Sequence, residues 1–228
     1  MKLMVFLFFL VINIFKLSSQ EIDNTYFLLG MIDLYNPRIA YYKDKSIIEC
    51  FATKDKLGNK LFYGYLLKLC QEKFRNEVIL IDTTEQKATI YKNRKIRKYL
   101  NEYYITKTIE LPIKGKNKWD VVKIQENTTE VQLNSYLTGA YARNGYRDSI
   151  GYHYRFANLF QKSEFIADLL PKKVNGLVEF RRCISCIPNV TIINFTFDSN
   201  VCDDQKINDF YKTRETLKKY LELIENNR

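Results

Sequence analysis

The chain has 228 residues, 46% of them hydrophobic and 27% charged, with only 8 Gly and 4 Pro. That balance excludes a low-complexity or disordered polymer and leaves enough apolar surface for a packed core. A formal net charge of +10 points to an anionic partner rather than a basic one.

Residues 1–20 have three parts: Lys2 in a short basic start, an apolar run from Leu3 to Phe15, and the exit Lys16-Leu17-Ser18-Ser19-Gln20. This is the form of a secretory signal peptide, and the run is shorter than the roughly 20 residues that span a bilayer. The expected organisation is a signal peptide over 1–20 and a single α+β domain over 21–228. The mature chain has no transmembrane segment on this reading and is exported, to the periplasm or the cell exterior. Leu17 sits three positions before a cut after Ser19, so an uncleaved N-terminal anchor is the alternative.

Next comes Thr25 to Tyr35, apolar and short, either a strand or a short helix. Leu57, Leu61, Phe62, Tyr65, Leu66, Leu69 and Phe74 recur at helical spacing and predict a helix. Glu77 to Asp82 reads as a buried strand. Lys92 to Tyr104 predicts a basic helix burying Ile96, Leu100 and Tyr103. Lys107 to Ile113 and Trp119 to Ile124 have strand length, with Lys114 to Lys118 as a hairpin turn. After Asn127 the spacing fits either a helix, with Leu133, Leu137, Ala140 and Tyr141 on one face, or an alternating strand through Val131, Leu133, Leu137 and Tyr141; the pair Asn144-Gly145 favours a helix that ends there. Ser149 to Phe156 alternates Ile150, Tyr152, Tyr154 and Phe156 against Gly151, His153 and Arg155, and predicts a strand. Phe160 to Leu170 is a helix stopped by Pro171. Gly176 to Ser185 and Asn189 to Phe197 are strands, and Asp203-Asp204 caps a last helix. No repeat is visible. The fold class that emerges is α+β, with a mixed or mostly antiparallel sheet packed by about four to five helices.

The positive charge is local. Lys87 to Lys123 contains eleven basic residues against three acidic ones, and without the leader the rest of the chain is neutral. Lys92, Arg94, Lys95, Arg97, Lys98, Lys114, Lys116 and Lys118 are the candidate binding residues. Their field suits an acidic protein or an anionic envelope surface. Nucleic acid is not expected, because the chain reads as exported and the segment matches no helix-turn-helix, zinc-finger or RNA-recognition pattern.

Cys50, Cys70, Cys183, Cys186 and Cys202 all follow the leader and are disulfide candidates in an oxidising compartment. Cys183-Ile-Ser-Cys186 lacks the following helix of a redox motif and the second pair of a zinc ribbon, so neither metal nor cofactor is expected. Three N-x-T sequons start at Asn127, Asn189 and Asn194. His153 is the single histidine. With Arg147 or Arg155 holding a phosphate it could act as an acid or base, although spacing picks out no second catalytic group.

These observations favour an exported, non-catalytic binding or inhibitor/immunity-type protein acting on an anionic partner. The alternatives are a secreted hydrolase of phosphate esters or envelope material centred on His153, and an envelope-associated structural protein. On the favoured reading the chain is not an enzyme; on the hydrolase alternative it is.

Overall fold

Asp23 and Thr129 start the two helices that pack on each other most extensively among the described residues. The first, α1, spans Asn24–Met31, and the Asp23 carboxylate caps it by accepting from the Tyr26 amide at 2.9 Å. The second spans Glu130–Asn144. There Thr129 Oγ1 accepts from the Gln132 amide while Gln132 Oε1 accepts from the Thr129 amide, a reciprocal cap. Side-chain caps of this kind typically contribute about 1 kcal/mol each.

The computed structural model describes residues 22–32, 44–52, 54–75, 77–83, 88–111, 115–122, 128–147, 149, 152–157, 159–172, 178–183 and 190–195. From residue 105 to 122 only the backbone is described. In chain order, the elements after α1 are β1 (Ile47–Ala52), α2 (Lys56–Lys73), β2 (Leu80–Thr83), β3 (Ala88–Lys92), α3 (Arg94–Asn101), β4 (Tyr104–Leu111) and β5 (Gly115–Val122). There follow α4 (Glu130–Asn144), β6 (Gly145–Arg147), β7 (Tyr152–Ala157), α5 (Phe160–Leu169), a 3-10 turn over Leu170–Lys172, β8 (Val178–Cys183) and β9 (Val190–Phe195).

α1 and α4 run in the same direction. At their starts the Asp23 amide donates to Ser135 Oγ at 3.0 Å, and further along Gly30 lies beside Ala140. The helices touch backbone to backbone. A Cβ on Gly30 would stand 2.1 Å from the Tyr136 carbonyl oxygen, and one on Gly139 would stand 2.0 Å from that of Phe27. Only glycine permits so close an approach. Thr25 to Met31 are all buried, so α1 has no polar stripe for a helical period to reveal.

The rest of the fold is one topology used twice. The first sheet has the order β1-β3-β2 and the second β6-β7-β9-β8, with every pairing antiparallel. In the first unit a central helix is followed by one described strand, a helix and two further strands, and in the second by two strands, a helix and two further strands; in both, the last strand inserts between its predecessor and the strand before the helix. The repeat that the residues do not show is thus present in the connectivity. Its sequence trace is short: Phe27-x-x-Gly30 and Tyr136-x-x-Gly139. Between the two units lies the β4–β5 hairpin, paired from Tyr104↔Val122 to Leu111↔Gly115.

Each sheet turns one face to the helices. Phe51 and Tyr91 pack on Phe62 of α2, with ring centroids 5.0 and 5.1 Å away. Tyr152, Tyr154 and Phe156 are buried together, Tyr152 and Tyr154 against Tyr141 of α4, and the Tyr154 hydroxyl donates to the Leu137 carbonyl at 3.1 Å. One apolar cluster runs through α1, α2, α4, α5 and both sheets.

The expected α+β class holds, with five helices among the described residues; of the two expected arrangements, mixed or mostly antiparallel, the strands take the antiparallel one, and the single expected sheet is divided. The helices at 56–73, 130–144 and 160–169 and the strands β7, β8 and β9 fall where spacing placed them. Glu77 to Asp82 does not become a buried strand. All four residues of β2, an edge strand of its sheet, are exposed. The leader, the last helix and the sequon at Asn127 lie outside the described residues. Among those described, no helix is long and apolar enough to cross a membrane.

Candidate nucleic-acid interface

The face of the second sheet turned away from the helices carries two parallel rows of side chains. The first crosses all four strands in register: Tyr146↔His153↔Asn194↔Glu179. Tyr146 stacks on His153 with ring centroids 4.7 Å apart. His153 Nδ1 lies 2.8 Å from Asn194 Oδ1, and Asn194 Nδ2 donates to Glu179 Oε2 at 3.3 Å. An ionised carboxylate only accepts, so Asn194 turns its NH2 toward Glu179 and its oxygen toward His153. That arrangement puts a proton on His153 Nδ1. Arg181 closes the row by donating to Glu179 Oε2 at 3.0 Å. The hydrogen bond from Asn194, followed by that from Arg181, holds the Glu179 carboxyl below its ordinary range.

One step along the strands is the second row, Arg155↔Ile192↔Arg181. Arg155 and Arg181 are exposed and flank the same isoleucine. Two strand spacings separate them, about 9.6 Å. This face therefore offers two guanidinium groups on a rigid pleated surface, one of them already oriented by a carboxylate.

The corresponding face of the first sheet is plainer. Alternation places Cys50, Ala52, Ala88, Ile90 and Leu80 there, together with Lys92 and Asp82, which pair at 3.3 Å.

At the C-terminal ends of the central helices each unit reaches into the other. Lys162 of α5 is buried and donates to the Ile32 carbonyl at 3.1 Å, at the end of α1. Arg143 of α4 lies 3.5 Å over the Phe51 ring, donates to the Cys50 carbonyl at 3.0 Å, and stands 3.9 Å from Asp55, the cap of α2.

The residues picked out from the sequence are scattered over this framework. His153 is buried at 4% exposure, because Tyr146 and Asn194 close on its ring from the neighbouring strands. Arg155 shares its face and strand, while Arg147 lies on β6 with its side chain outside the described residues. The described side chains of the basic segment face different ways. Lys92 belongs to the first sheet, and Arg97 turns inward to the Ile48 carbonyl at 3.4 Å. Arg94 and Lys98 are exposed on α3, and Lys95 pairs with Glu77. Lys116 and Lys118 lie on β5, where only the backbone is described, and Lys114 lies outside it. Cys50 and Cys70 are free thiols on opposite sides of the first sheet, and burial pushes both above their ordinary range. Among the described residues there is no disulfide. Cys183 lies on β8 with its side chain undescribed, and Cys186 and Cys202 fall outside the described residues. Sequence reasoning missed Tyr146, Asn194, Glu179 and Arg181. Their only signal was strand alternation combined with a register that no local pattern reports.

No protein-family model matches the sequence, and no curated protein matches it. Solved structures do. The chain is similar to the homing endonuclease I-DmoI, in work on its mesophilic variants, at 13% identity and a TM-score of 0.52, covering 85% of this chain and 96% of that one. The chain shares the fold of a homing endonuclease. A structure of I-DmoI in complex with DNA and Ca is similar at 13% identity over 76% of this chain and 82% of that one, with a TM-score of 0.49.

That likeness corrects the functional expectations. The binding or inhibitor/immunity-type protein, the secreted hydrolase centred on His153 and the envelope-associated structural protein all give way, since over most of the chain the fold is similar to that of the homing endonuclease I-DmoI. The reading of the chain as no enzyme is corrected with them, because the protein that shares its fold is an endonuclease. The expectation that nucleic acid is not a partner is corrected by the same likeness, since the protein whose fold this chain shares is an endonuclease.

A nuclease fold raises the question of a divalent cation, which is held by oxygen ligands, carboxylates above all. At the helix ends, Asp33, the carboxylate that follows α1 in the sequence, lies outside the described residues. The Ile32 carbonyl is engaged by an ammonium, α4 ends in Arg143 and Asn144, and no group of three His, Cys, Asp or Glu among the described residues is placed to hold a metal. No cleavage step is assigned there.

Proposed function

We propose that this chain binds duplex DNA with the helix-free faces of its two sheets. The observation that carries the reading is the row Arg155–Ile192–Arg181, two arginines on the open face of an antiparallel sheet in a homing-endonuclease fold. An antiparallel ribbon fits the major groove of B-DNA, about 12 Å wide, where base edges are exposed. The deep, narrow major groove of an RNA helix does not admit it. Export remains a separate proposal, supported by residues 1–20 alone.

Fluorescence anisotropy of the purified chain with a labelled duplex, titrated in salt, tests the reading. Binding should weaken linearly on a log–log scale, with a slope of about −0.9 per phosphate neutralised. A basic protein can also bind loosely by charge alone, so two variants discriminate. Arg155→Ala with Arg181→Ala should weaken binding about tenfold or more, an effect of the order of one good base contact. Arg94→Ala with Lys98→Ala, on α3, should change it much less. The reverse ordering would overturn the sheet-face reading, and so would an absence of duplex binding at low salt.

A further inference from the structure

The two units share a topology but not a reading surface. In the second sheet, the side chains facing away from the helices form a connected polar row, Tyr146–His153–Asn194–Glu179, which ends on Arg181, with Arg155 alongside. In the first sheet the matching positions include Ala52, Ala88 and Ile90, and the described charges there, Lys92 and Asp82, are paired with each other. Methyl and methylene groups offer a base edge no hydrogen bond. A guanidinium offers a planar fork that matches O6 and N7 of guanine.

We propose that DNA recognition by this chain is one-sided: the second sheet reads base identity through Arg155 and Arg181, whereas the first sheet supplies tolerant contact. The inference rests on the duplex-binding reading above. Holding Arg181 against Glu179 removes rotamer freedom before binding, which reduces the entropy cost of each base contact. Glu179 is itself fixed by Asn194, and Asn194 by His153. These three are positioning residues for Arg181. Arg155 and Arg181 face one groove from two strands, and guanine is the base each selects.

Selection from a duplex library with a randomised core of about 20 base pairs, two helical turns, tests this. The enriched sites should be constrained in one half, with guanine at two positions, and near-random in the other. Arg181→Lys should keep most of the affinity for a mixed duplex but lose about tenfold in preference for the selected site, because a lysine keeps the charge and loses the fork. Asn194→Ala should reduce the same preference in part, with the fold confirmed by circular dichroism. Lys92→Ala should weaken all sequences alike.

Two equally constrained halves would overturn the inference while leaving duplex binding intact. So would constraint in the half that Arg155 and Arg181 variants leave unchanged. Failure to bind any duplex, or preference for RNA, would overturn both.

Discussion

Gly30 and Gly139 stand in reciprocal positions: each rests on the main-chain carbonyl of the residue three places before the other, Tyr136 for Gly30 and Phe27 for Gly139. The contact joins the two halves of the molecule, and it sets how closely the sheets carrying the candidate interface are drawn together through α1 and α4.

Either glycine should therefore be intolerant of even one methyl group. Gly30→Ala and Gly139→Ala should each cost about 3 kcal/mol, the upper part of the usual overpacking range, since the obstacle is backbone rather than a flexible side chain. Gly64, exposed in the middle of α2 with nothing within 4 Å of an added Cβ, is the control. Gly64→Ala should stabilise the chain by about 1 kcal/mol through helix propensity. Urea unfolding of the three variants checks this, and an unchanged midpoint for Gly139→Ala would contradict the backbone contact.

His153→Ala should cost stability, not chemistry. It removes the stack on Tyr146 and the hydrogen bond to Asn194, leaving a half-buried amide oxygen without that donor. The expected loss is about 1–3 kcal/mol, against under about 0.5 kcal/mol for a surface histidine. Denaturant titration distinguishes the two values.

Glu179 gives the open face a pH dependence of definite sign. Its folded carboxyl lies below the ordinary value of 4.5 because Asn194 and Arg181 hydrogen-bond its charged form. The ionised form is thus favoured on folding. Its contribution is complete above pH 4.5 and is lost as pH falls through the lower folded value. The stability difference between the native chain and Glu179→Gln should be constant from pH 7 to 5 and shrink below pH 4.5. Asp44 and Glu77, also held low, are present in both proteins and cancel. A difference that stays flat down to pH 3 would show that the carboxylate is not engaged in the row.

Export predicts a mature chain that begins between Ser19 and Ile22. Ile22 packs against the core and Asp23 caps α1, so a cut there leaves the central helix intact. Mass spectrometry of the secreted fraction reads the terminus directly. Recovery of the chain with Lys2 still attached would count against a cleaved leader.

Local patterns along the chain determined most of the elements. Asn144-Gly145 marks the end of α4, the alternation Tyr152, Tyr154, Phe156 marks a strand with one buried face, and Pro171 closes α5. These features are local because each depends on hydrogen bonds or side-chain periods within a few residues. What the tertiary structure alone decided is who faces whom. α1 is buried all round, so no period announces it. β3 carries too few residues to alternate visibly. Tyr146, His153, Asn194 and Glu179 become one row only when four strands from distant parts of the chain take a common register. The doubled topology is hidden for the same reason: two stretches fold alike when their buried faces match in volume and pattern, and packing accepts many residues that satisfy that condition.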